Sequence, residues 1–496
     1  MKNKIVKAKE FIKKHDNIFV FMLILLSICG ITLDVSIINS DELWNFQNIY
    51  KMYNGFVIYK DANVIITPLF LWLGELLFKV LGANFLVFRV YNIIIMEILY
   101  FVTYLTLKKL NINKKIAVII ILILITYWNY GMLLIQANYN TMALMFCLIG
   151  VLLNINKSKY NDLVQGVMLF LIFITKQNIG MYYGIGLCAY EILNKTEWKI
   201  KIKKLLIEFI TFIILLTIFI IYFYLNNNLY NFINYTILGI KEFANENITL
   251  DIPSIILSIF FISINTLLTI FFIKNKRMNI NKKEKEILIL LNCFSTPLIF
   301  IVYPIFNKAH FLIGIYLSVI TFSYLIKIMI KEIGINIKNK IINIILICCF
   351  IFTCIKSLSL FIDWTNIINN ENYKIKIERP FFGGPIEDEL IKNIDNVVEY
   401  MENEEDNVIV LSSKAAFYMI TTKRSNGMMD LPFKGNLGKD GEEGLIREIE
   451  NMYNTKILIE KNENELMWQE SKKAREYIIN NMKKIGEIED FYIYTK

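Results

Sequence analysis

The chain lacks the residues and spacings that mark several common kinds of site. Its seven cysteines all lie in apolar stretches and none follows residue 354, so the polar C-terminal part has no disulfide framework and no CxxC metal pattern. Only two histidines occur, and no HExxH, Walker or glycine-rich dinucleotide motif is present. No small-residue cleavage site follows the first apolar segment, so we interpret that segment as an uncleaved helix.

Apolar residues, in contrast, are abundant. They make up 55% of the 496 residues and give a mean hydropathy of +0.47. They fall in blocks of about twenty residues, which is the length that crosses the hydrocarbon core of a bilayer. The blocks predict a polytopic α-helical membrane protein with eleven spans, at 18–38, 86–107, 115–134, 141–156, 161–175, 179–194, 204–225, 254–273, 286–303, 309–327 and 340–362.

The basic residues predict the orientation of these spans. If the N-terminus is cytoplasmic, the loops predicted inside carry 27 Lys and Arg and the outside connections carry six. Cytoplasmic loops of membrane proteins are enriched in Lys and Arg. The bias predicts a multi-pass plasma-membrane protein with a cytoplasmic N-terminus. It also explains the net charge of +9 without nucleic acid as a partner.

One apolar segment, at 65–81, does not fit as a twelfth span, because a crossing there would place the basic loop 108–115 outside. It carries Glu75 and Lys79 four residues apart. We predict an amphipathic helix that lies along the outer membrane surface. The helix would belong to a first outer loop at 39–85.

The composition changes after the last span. A transmembrane domain at 1–362 is followed by a predicted polar connector at 363–384 and a charged part at 385–496. Alternating strand-like and helix-like runs in the charged part predict a small soluble α/β domain outside the cell. The strand-like runs are 407–412, 456–461 and 491–495, and the helix-like runs are 387–403, 413–422, 442–452 and 470–484.

Two carboxylates come directly after the first span, in the motif N-S-D-E-L-W that contains Asp41 and Glu42. A carboxylate at the outer membrane face can act as a general base toward a hydroxyl of an acceptor. The alternative is a solvated pair that only ends a helix.

Further motifs follow this pair in a fixed order. They are G-x-x-x-Y-x-D with Gly55, Tyr59 and Asp61, then P-L-F-L-W-L at 68–73, then Arg89 in FLVFRVYN, and the run 166–180 with Lys176 in I-T-K-Q-N. Their order resembles that of the GT-C membrane glycosyltransferases, which include the protein O-mannosyltransferases and the lipid A aminoarabinose transferase. The resemblance covers about 40–110 closely and 160–195 more loosely.

The resemblance implies an inverting glycosyltransferase. It would move a hexose or pentose from a polyprenyl-phosphate carrier in the lipid bilayer to a cell-surface glycan, lipid or protein, with no metal or other cofactor. Asp41 would be the catalytic base and Glu42 would position the acceptor. The residues implied to bind substrate are Tyr59, Asp61, Arg89, Lys176, Gln177, Lys308 and His310; of these, Lys176, Lys308 and His310 would stabilise the leaving phosphate.

The chain also departs from the family pattern, and other interpretations stay open. Ile66, Thr67 and Pro68 stand where relatives often have Lys-Pro-Pro, so no lysine is available there, and the second outer loop, 136–142, has no acid. Lys176 could instead reach to the membrane interface, and His310 could be a hydrogen-bonded structural group. A transporter or flippase of lipid-linked sugars and a non-catalytic envelope assembly protein are the alternative functions. The absence of an internal repeat disfavours a transporter.

The charge bias generates a topology prediction. In intact cells, a membrane-impermeant maleimide should label a Lys483→Cys variant, whose new thiol is external, and should label Lys199→Cys only after permeabilisation. The unsubstituted chain measures the background from its native cysteines. Protection of the Lys483→Cys thiol in intact cells would contradict an external C-terminal domain.

Overall fold

A computed structural model describes residues 16–32, 40–130, 138–246, 249–303, 305–334, 340–352, 388–412, 415, 418, 432, 434–462 and 470–496. Most of these residues are helical. The helices of the N-terminal part are α1 Asp16–Thr32, α2 Ser40–Tyr53, α3 Leu69–Leu81, α4 Phe85–Lys109, α5 Lys114–Tyr130, α6 Tyr139–Asn156, α7 Asn161–Thr175, α8 Gln177–Leu193, α9 Trp198–Leu225, α10 Leu229–Ile233, α11 Ile240–Glu246, α12 Ile252–Lys274, α13 Lys282–Ile299, α14 Lys308–Ile333 and α15 Lys340–Phe352.

The described part of each of the eleven predicted spans lies almost entirely in one of these helices, and the predicted residues 33–38, 131–134 and 353–362 lie outside the described residues. Six helical segments among the described residues are long and apolar enough to cross a membrane: Phe85–Lys109, Tyr139–Asn156, Trp198–Leu225, Ile252–Lys274, Lys282–Val302 and Lys308–Ile333. Only 11% of the most apolar window of α9 and 22% of that of α12 are buried in the protein, as expected of surfaces that face lipid. The coarse class, a helical membrane protein, agrees with the sequence, and the count of eleven spans stays a prediction.

Asparagine and aspartate side chains begin several spans, because they accept hydrogen bonds from backbone N–H groups that the first helical turn leaves unpaired. Asn138 accepts from the N–H of Asn140 and of Thr141 at the start of α6. Asn281 and Glu284 form a reciprocal capping box at the start of α13. Asparagine residues at the starts of predicted spans therefore stabilise the first helical turn.

The basic stretch 195–204, predicted as a loop, is largely helical, because α9 begins at Trp198. The correction has a local cause. Lys201 donates from Nζ to the C=O of Ile192 at 2.6 Å, and Lys204 pairs with Glu191 at 3.2 Å. Two of the lysines therefore satisfy groups at the end of α8 instead of being solvated.

The chain divides into two compact units. The first comprises residues 1–34, 89–213 and 250–366, and the second comprises 35–88, 214–249 and 367–496. The second unit thus groups the first outer loop with the C-terminal part. The predicted linear domain boundaries at 362 and 385 stay predictions.

The described residues of the C-terminal part include one four-stranded sheet and several helices, in the order α16 Asp388–Asn403, β3 Asn407–Leu411, α17 Gly441–Asn451, β4 Thr455–Glu460, α18 Lys472–Asn481, β5 Lys483–Ile488 and β6 Phe491–Thr495. The short strands β1 Thr249–Leu250 and β2 Ile305–Phe306 lie earlier in the chain. The strand order is β3-β4-β6-β5, with β3 parallel to β4 and the other pairs antiparallel. One apolar core joins the sheet to α17 and α18 through Ile409, Leu411, Ile457, Ile459, Leu445, Ile449, Ala474 and Ile478.

Three of these strands match predicted runs, and the fourth does not. The run 470–484 was predicted as one helix, but α18 ends at Asn481 and β5 begins at Lys483. The outward charges of β5 conceal it in the sequence. Lys484 and Glu487 form a surface pair at 2.6 Å, and the register shifts next to Gly486. The run 413–422 lies mostly outside the described residues.

Close packing of α7 and α8 depends on a glycine. A Cβ at Gly180 would lie 2.6 Å from the backbone Cα of Phe173, whereas a Cβ at Gly184, one turn later, would lie 3.4 Å from the flexible Leu169 side chain. Gly180→Ala should therefore destabilise the purified protein by about 1–3 kcal/mol, the usual cost of overpacking. Gly184→Ala is the matched control and should be neutral or slightly stabilising, since alanine favours a helix. Thermal unfolding in detergent measures both, and equal midpoints would contradict the packing argument.

Candidate functional site

The Asp41–Glu42 pair lies in the first turn of α2, a helix of the first outer loop. The pair begins a helix, contrary to the alternative in which it ends one. The structure does not describe the Asp41 side chain. Glu42 is 2% exposed, so it is not a solvated surface carboxylate.

Helix α2 has an unusual number of buried polar side chains for a loop helix. Beyond Glu42 they are Asn45, Gln47, Asn48 and Lys51. Asp41, Asn45 and Asn48 follow at intervals of four and three residues, the spacing of one helix face. Among the described residues the Nδ2 donor of Asn48 has no hydrogen-bond acceptor, so it can serve an oxygen atom of a ligand.

Helix α3 packs closely against α2. A Cβ at Gly74 would lie 2.4 Å from Cδ1 of Ile49, so the glycine permits a close approach of the two helices. Phe78 of α3 packs on Phe46 of α2 with ring centroids 5.6 Å apart. The other side of α3 exposes Leu73, Leu76, Val80 and Leu81. An exposed apolar stripe agrees with the predicted helix at the membrane surface, although its orientation to the bilayer stays a prediction.

Burial also changes the chemistry of Lys51, which is 5% exposed. Loss of hydration disfavours the ammonium form and lowers the pKa of Lys51 from 10.5 to about 7. Helix α2, which carries Asp41 in its first turn, therefore has in its last turn an amine able to change its charge near neutral pH.

Tyr59 and Asp61 shape the loop that follows. Tyr59 adopts a left-handed φ of 68° and is fully buried, and its hydroxyl donates to the C=O of Ile66 at 2.8 Å. Burial raises the pKa of this hydroxyl well above its ordinary value. Oδ2 of Asp61 accepts from the N–H of Val57 at 2.8 Å and closes the turn. Both side chains thus have structural partners, and substrate contact by either one stays a prediction.

The ring of Tyr59 belongs to an aromatic cluster. It packs edge-to-face on Phe223 and Phe232, at centroid distances of 5.6 and 5.3 Å, and these two rings stack on each other at 4.6 Å. Asn228 donates from Nδ2 to the C=O of Ile58 at 2.7 Å. The outer loop therefore contacts residues 223–232 through ring packing and a hydrogen bond. The sequence did not predict this contact.

The C-terminal part of the second unit contacts the same region through the turn 436–439. Asn63 of the outer loop donates from Nδ2 to the C=O of Asn436 at 3.1 Å, and Oδ1 of Asn234 accepts from the N–H of Lys439 at 3.0 Å. Between them, Gly438 has a φ of 71°, and a Cβ there would lie 2.7 Å from Nδ2 of Asn234. The turn 436–439 therefore packs closely against Asn234 and hydrogen-bonds to Asn234 and Asn63.

The other predicted substrate residues belong to the first unit. Arg89 of α4 is 1% exposed and donates from Nη1 to the C=O of Thr32 at 2.8 Å, which joins α4 to the end of α1. This contact gives Arg89 a structural role, and its role in substrate binding is untested.

Lys176 and His310 lie near each other. Lys176 separates α7 from α8, donates from Nζ to Oδ1 of Asn140, and lies 4.8 Å from the centroid of the Tyr139 ring. It is close enough to His310 for an electrostatic interaction. The imidazole Nδ1 lies 2.9 Å from Oδ1 of Asn307, the residue that caps α14.

The two neighbouring residues differ in exposure. Gln177 opens α8 and is half-buried, whereas Lys308 opens α14 and is exposed. Lys308 makes no ion pair among the described residues and could receive an anion. Sequence reasoning missed Asn140 and Tyr139 as partners of Lys176; the asparagine-rich start of α6 was a weak signal for them.

Comparisons with protein families, with curated proteins and with solved structures find no match to this chain. Among the described residues, no three His, Cys, Asp or Glu side chains come together as possible metal ligands. The GT-C resemblance therefore rests on the sequence motifs alone.

The lowered pKa of Lys51 generates a prediction about stability. Between pH 7 and 10.5 the unfolded chain binds more protons at this lysine than the folded chain, so the free energy of unfolding should rise with pH by up to about 1.4 kcal/mol per pH unit. Lys51→Met should remove this contribution, and Lys79→Met, at an exposed lysine, should keep it. Thermal midpoints in detergent at pH 7, 8 and 9 measure the slopes. Parallel slopes for the wild type and Lys51→Met would contradict a neutral lysine.

Proposed function

We propose that the protein is an inverting membrane glycosyltransferase that transfers a sugar from a polyprenyl-phosphate carrier to an acceptor outside the cell. The observation that carries the proposal is the buried Nδ2 of Asn48, which lies on α2 two turns after Asp41 and has no hydrogen-bond acceptor among the described residues. Burying a polar group is costly unless it has a use or a partner. This donor, together with the order of the sequence motifs, favours a catalytic loop over a simple connection.

In the proposed reaction, an acceptor hydroxyl attacks the anomeric carbon of the donor sugar. Asp41 takes the hydroxyl proton as the new C–O bond forms, and the bond to the phosphate oxygen breaks with its electron pair on the phosphate. Asn48 follows Asp41 on the helix by two turns, and its unpaired amide would bind a sugar or acceptor oxygen. Glu42 would orient the acceptor.

The leaving phosphate requires positive charge. Lys176, with His310 nearby, and the exposed Lys308 are the candidates to stabilise it, because fixed donors aimed at developing charge lower the barrier. In the described structure Lys176 donates to Asn140, so phosphate binding would replace or share that bond. The apolar helices would hold the isoprenoid tail of the donor in the bilayer.

The C-terminal domain would cover the proposed site on its acceptor side or select the acceptor. Its turn 436–439 contacts Asn63, which belongs to the same outer loop as α2. A domain seated on the catalytic loop can restrict which acceptors reach that loop. We assign the domain no catalytic residue.

A second candidate function, transport of lipid-linked sugars without catalysis, is favoured by two carboxylates inside apolar helices. Glu97 is 4% exposed and Glu208 is 1% exposed, and each has a carboxylate oxygen without a hydrogen-bond partner in the described part of the chain. Ionisable residues at membrane depth are typical of transporters. The motifs of the outer loop give glycosyl transfer the stronger support.

Asp41→Asn tests the proposed chemistry. The variant should keep its folding and lower transfer from a radiolabelled synthetic polyprenyl-phosphate sugar by about 100-fold or more, since a general base contributes about 10²–10⁴-fold. Glu75→Gln is the control, because Glu75 forms an ion pair on α3 with Lys79 at 2.5 Å; its activity should be unchanged.

The same assay in proteoliposomes separates the two functions. Transfer that is lost in Asp41→Asn supports the transferase. Near-normal turnover of Asp41→Asn would remove this base from the mechanism. Movement of the labelled donor across the bilayer without transfer would favour the transporter.

A further inference from the structure

Helices α1 and α4 contact each other along an interface, here called the seam, which has a hydrogen bond at each end. At one end Arg89 bonds to the C=O of Thr32, and at the other Nζ of Lys108 donates to Oδ1 of Asn17 at 2.7 Å. Between these ends, Phe101 packs edge-to-face on Phe21 at 5.4 Å. The seam thus runs along the length of both helices.

Glu97 lies in the middle of this seam. It is the thirteenth of the 25 residues of α4, which places it about 18 Å along the axis from either end of the helix. The half-thickness of the hydrocarbon core is about 15 Å. If α4 crosses the membrane as predicted, the carboxyl group lies near the centre of the bilayer.

The Glu97 carboxyl is buried and lacks a partner. Its side chain is 4% exposed, and neither oxygen has a hydrogen-bond partner among the residues that the structure describes. The titratable group that faces it from α1 is the Cys29 thiol, which carries no compensating charge. On α4 itself, Arg89 is about 12 Å and Lys108 about 16 Å away along the axis.

Two buried threonines of α4 are satisfied, whereas the side chains of Glu97 and Asn92 have no hydrogen-bond partner among the described residues. The hydroxyls of Thr103 and Thr106 donate to the C=O groups of Leu99 and Val102, each at 2.8 Å. These threonines have a structural explanation. Glu97 and the fully buried hydroxyl of Tyr104, which also lacks a partner among the described residues, do not.

We propose that Glu97 is a proton-binding site inside the membrane, which exchanges its proton along the seam past Tyr104 toward the end where Lys108 pairs with Asp16 at 3.6 Å. An isolated carboxylate in an apolar interior is so costly that the group takes up a proton instead. Tyr104 follows Glu97 by seven residues, two helical turns on the same face, or about 10 Å. Its hydroxyl can accept and donate a proton, and water between the two groups would complete the route.

The proposed site gives the protein a means of sensing or using a proton gradient, because protonatable carboxyls at this depth act as proton relays in membrane proteins. It goes beyond sugar transfer and does not rest on it. A transferase or a transporter could each use such a group to link its conformational state to proton binding.

Dicyclohexylcarbodiimide, an apolar reagent, tests the site directly on the full chain in lipid vesicles. A protonated carboxyl adds to the carbodiimide: the acid proton moves to a nitrogen, the carboxyl oxygen bonds to the central carbon, and the adduct rearranges to a stable N-acylurea. Peptide mass spectrometry should find this adduct on Glu97 in most molecules at neutral pH. Glu75, half-buried on α3 and paired with Lys79, is the control within the chain and should react only with a water-soluble carbodiimide.

The labelling results test the proposal without an activity assay. A Glu97→Gln variant should lose the adduct at position 97 and leave all other labelling unchanged. Failure of the apolar reagent to modify Glu97 would show that the carboxyl is ionised or paired and would overturn the proposal. Modification by the water-soluble reagent would place the group in contact with bulk water and would overturn it as well. Loss of sugar transfer alone would bear only on the proposed function.

Discussion

Polar groups that are buried away from water need hydrogen-bond partners, and this requirement accounts for several features of the structure. It makes the apolar segments helical, since a helix satisfies its own backbone groups. It explains why asparagine and aspartate begin the spans, where Asn138 and Asn281 accept from unpaired N–H groups. It also identifies the exceptions, because a buried polar group without a partner needs another explanation.

Two of the exceptions, Asn48 and Glu97, have different surroundings. Asn48 lies on α2 in the predicted outer loop, two helical turns after the predicted base Asp41. Glu97 lies in an apolar seam between α1 and α4. A polar cluster at the membrane surface suits recognition of a polar substrate, whereas a single acid at membrane depth suits proton binding. The two proposals therefore concern separate chemistry.

Much of the fold could be predicted from the sequence, because runs of apolar residues and basic loops act locally. The described part of each predicted span is almost entirely helical, and β3, β4 and β6 lie where the strand-like runs indicated them. The strand β5 was missed because its charges, Lys484 and Glu487, resemble a solvated helix face. The length of the loop before α9 was wrong because Lys201 and Lys204 bond to the end of α8, which no local pattern reports.

For the candidate site, the sequence by itself determined which residues have suitable chemistry and where they lie along the chain: Asp41 and Glu42 after the first span, Lys176 and His310 at helix starts. Only the tertiary structure decided which of them are buried and what they touch. It bonded Tyr59 to Ile66 and Arg89 to Thr32, brought Lys176 near His310, and left Glu97 without a partner. The physical reason is that apolar length and charge bias are properties of neighbouring residues, whereas burial and hydrogen-bond partners depend on contacts between residues far apart in the chain.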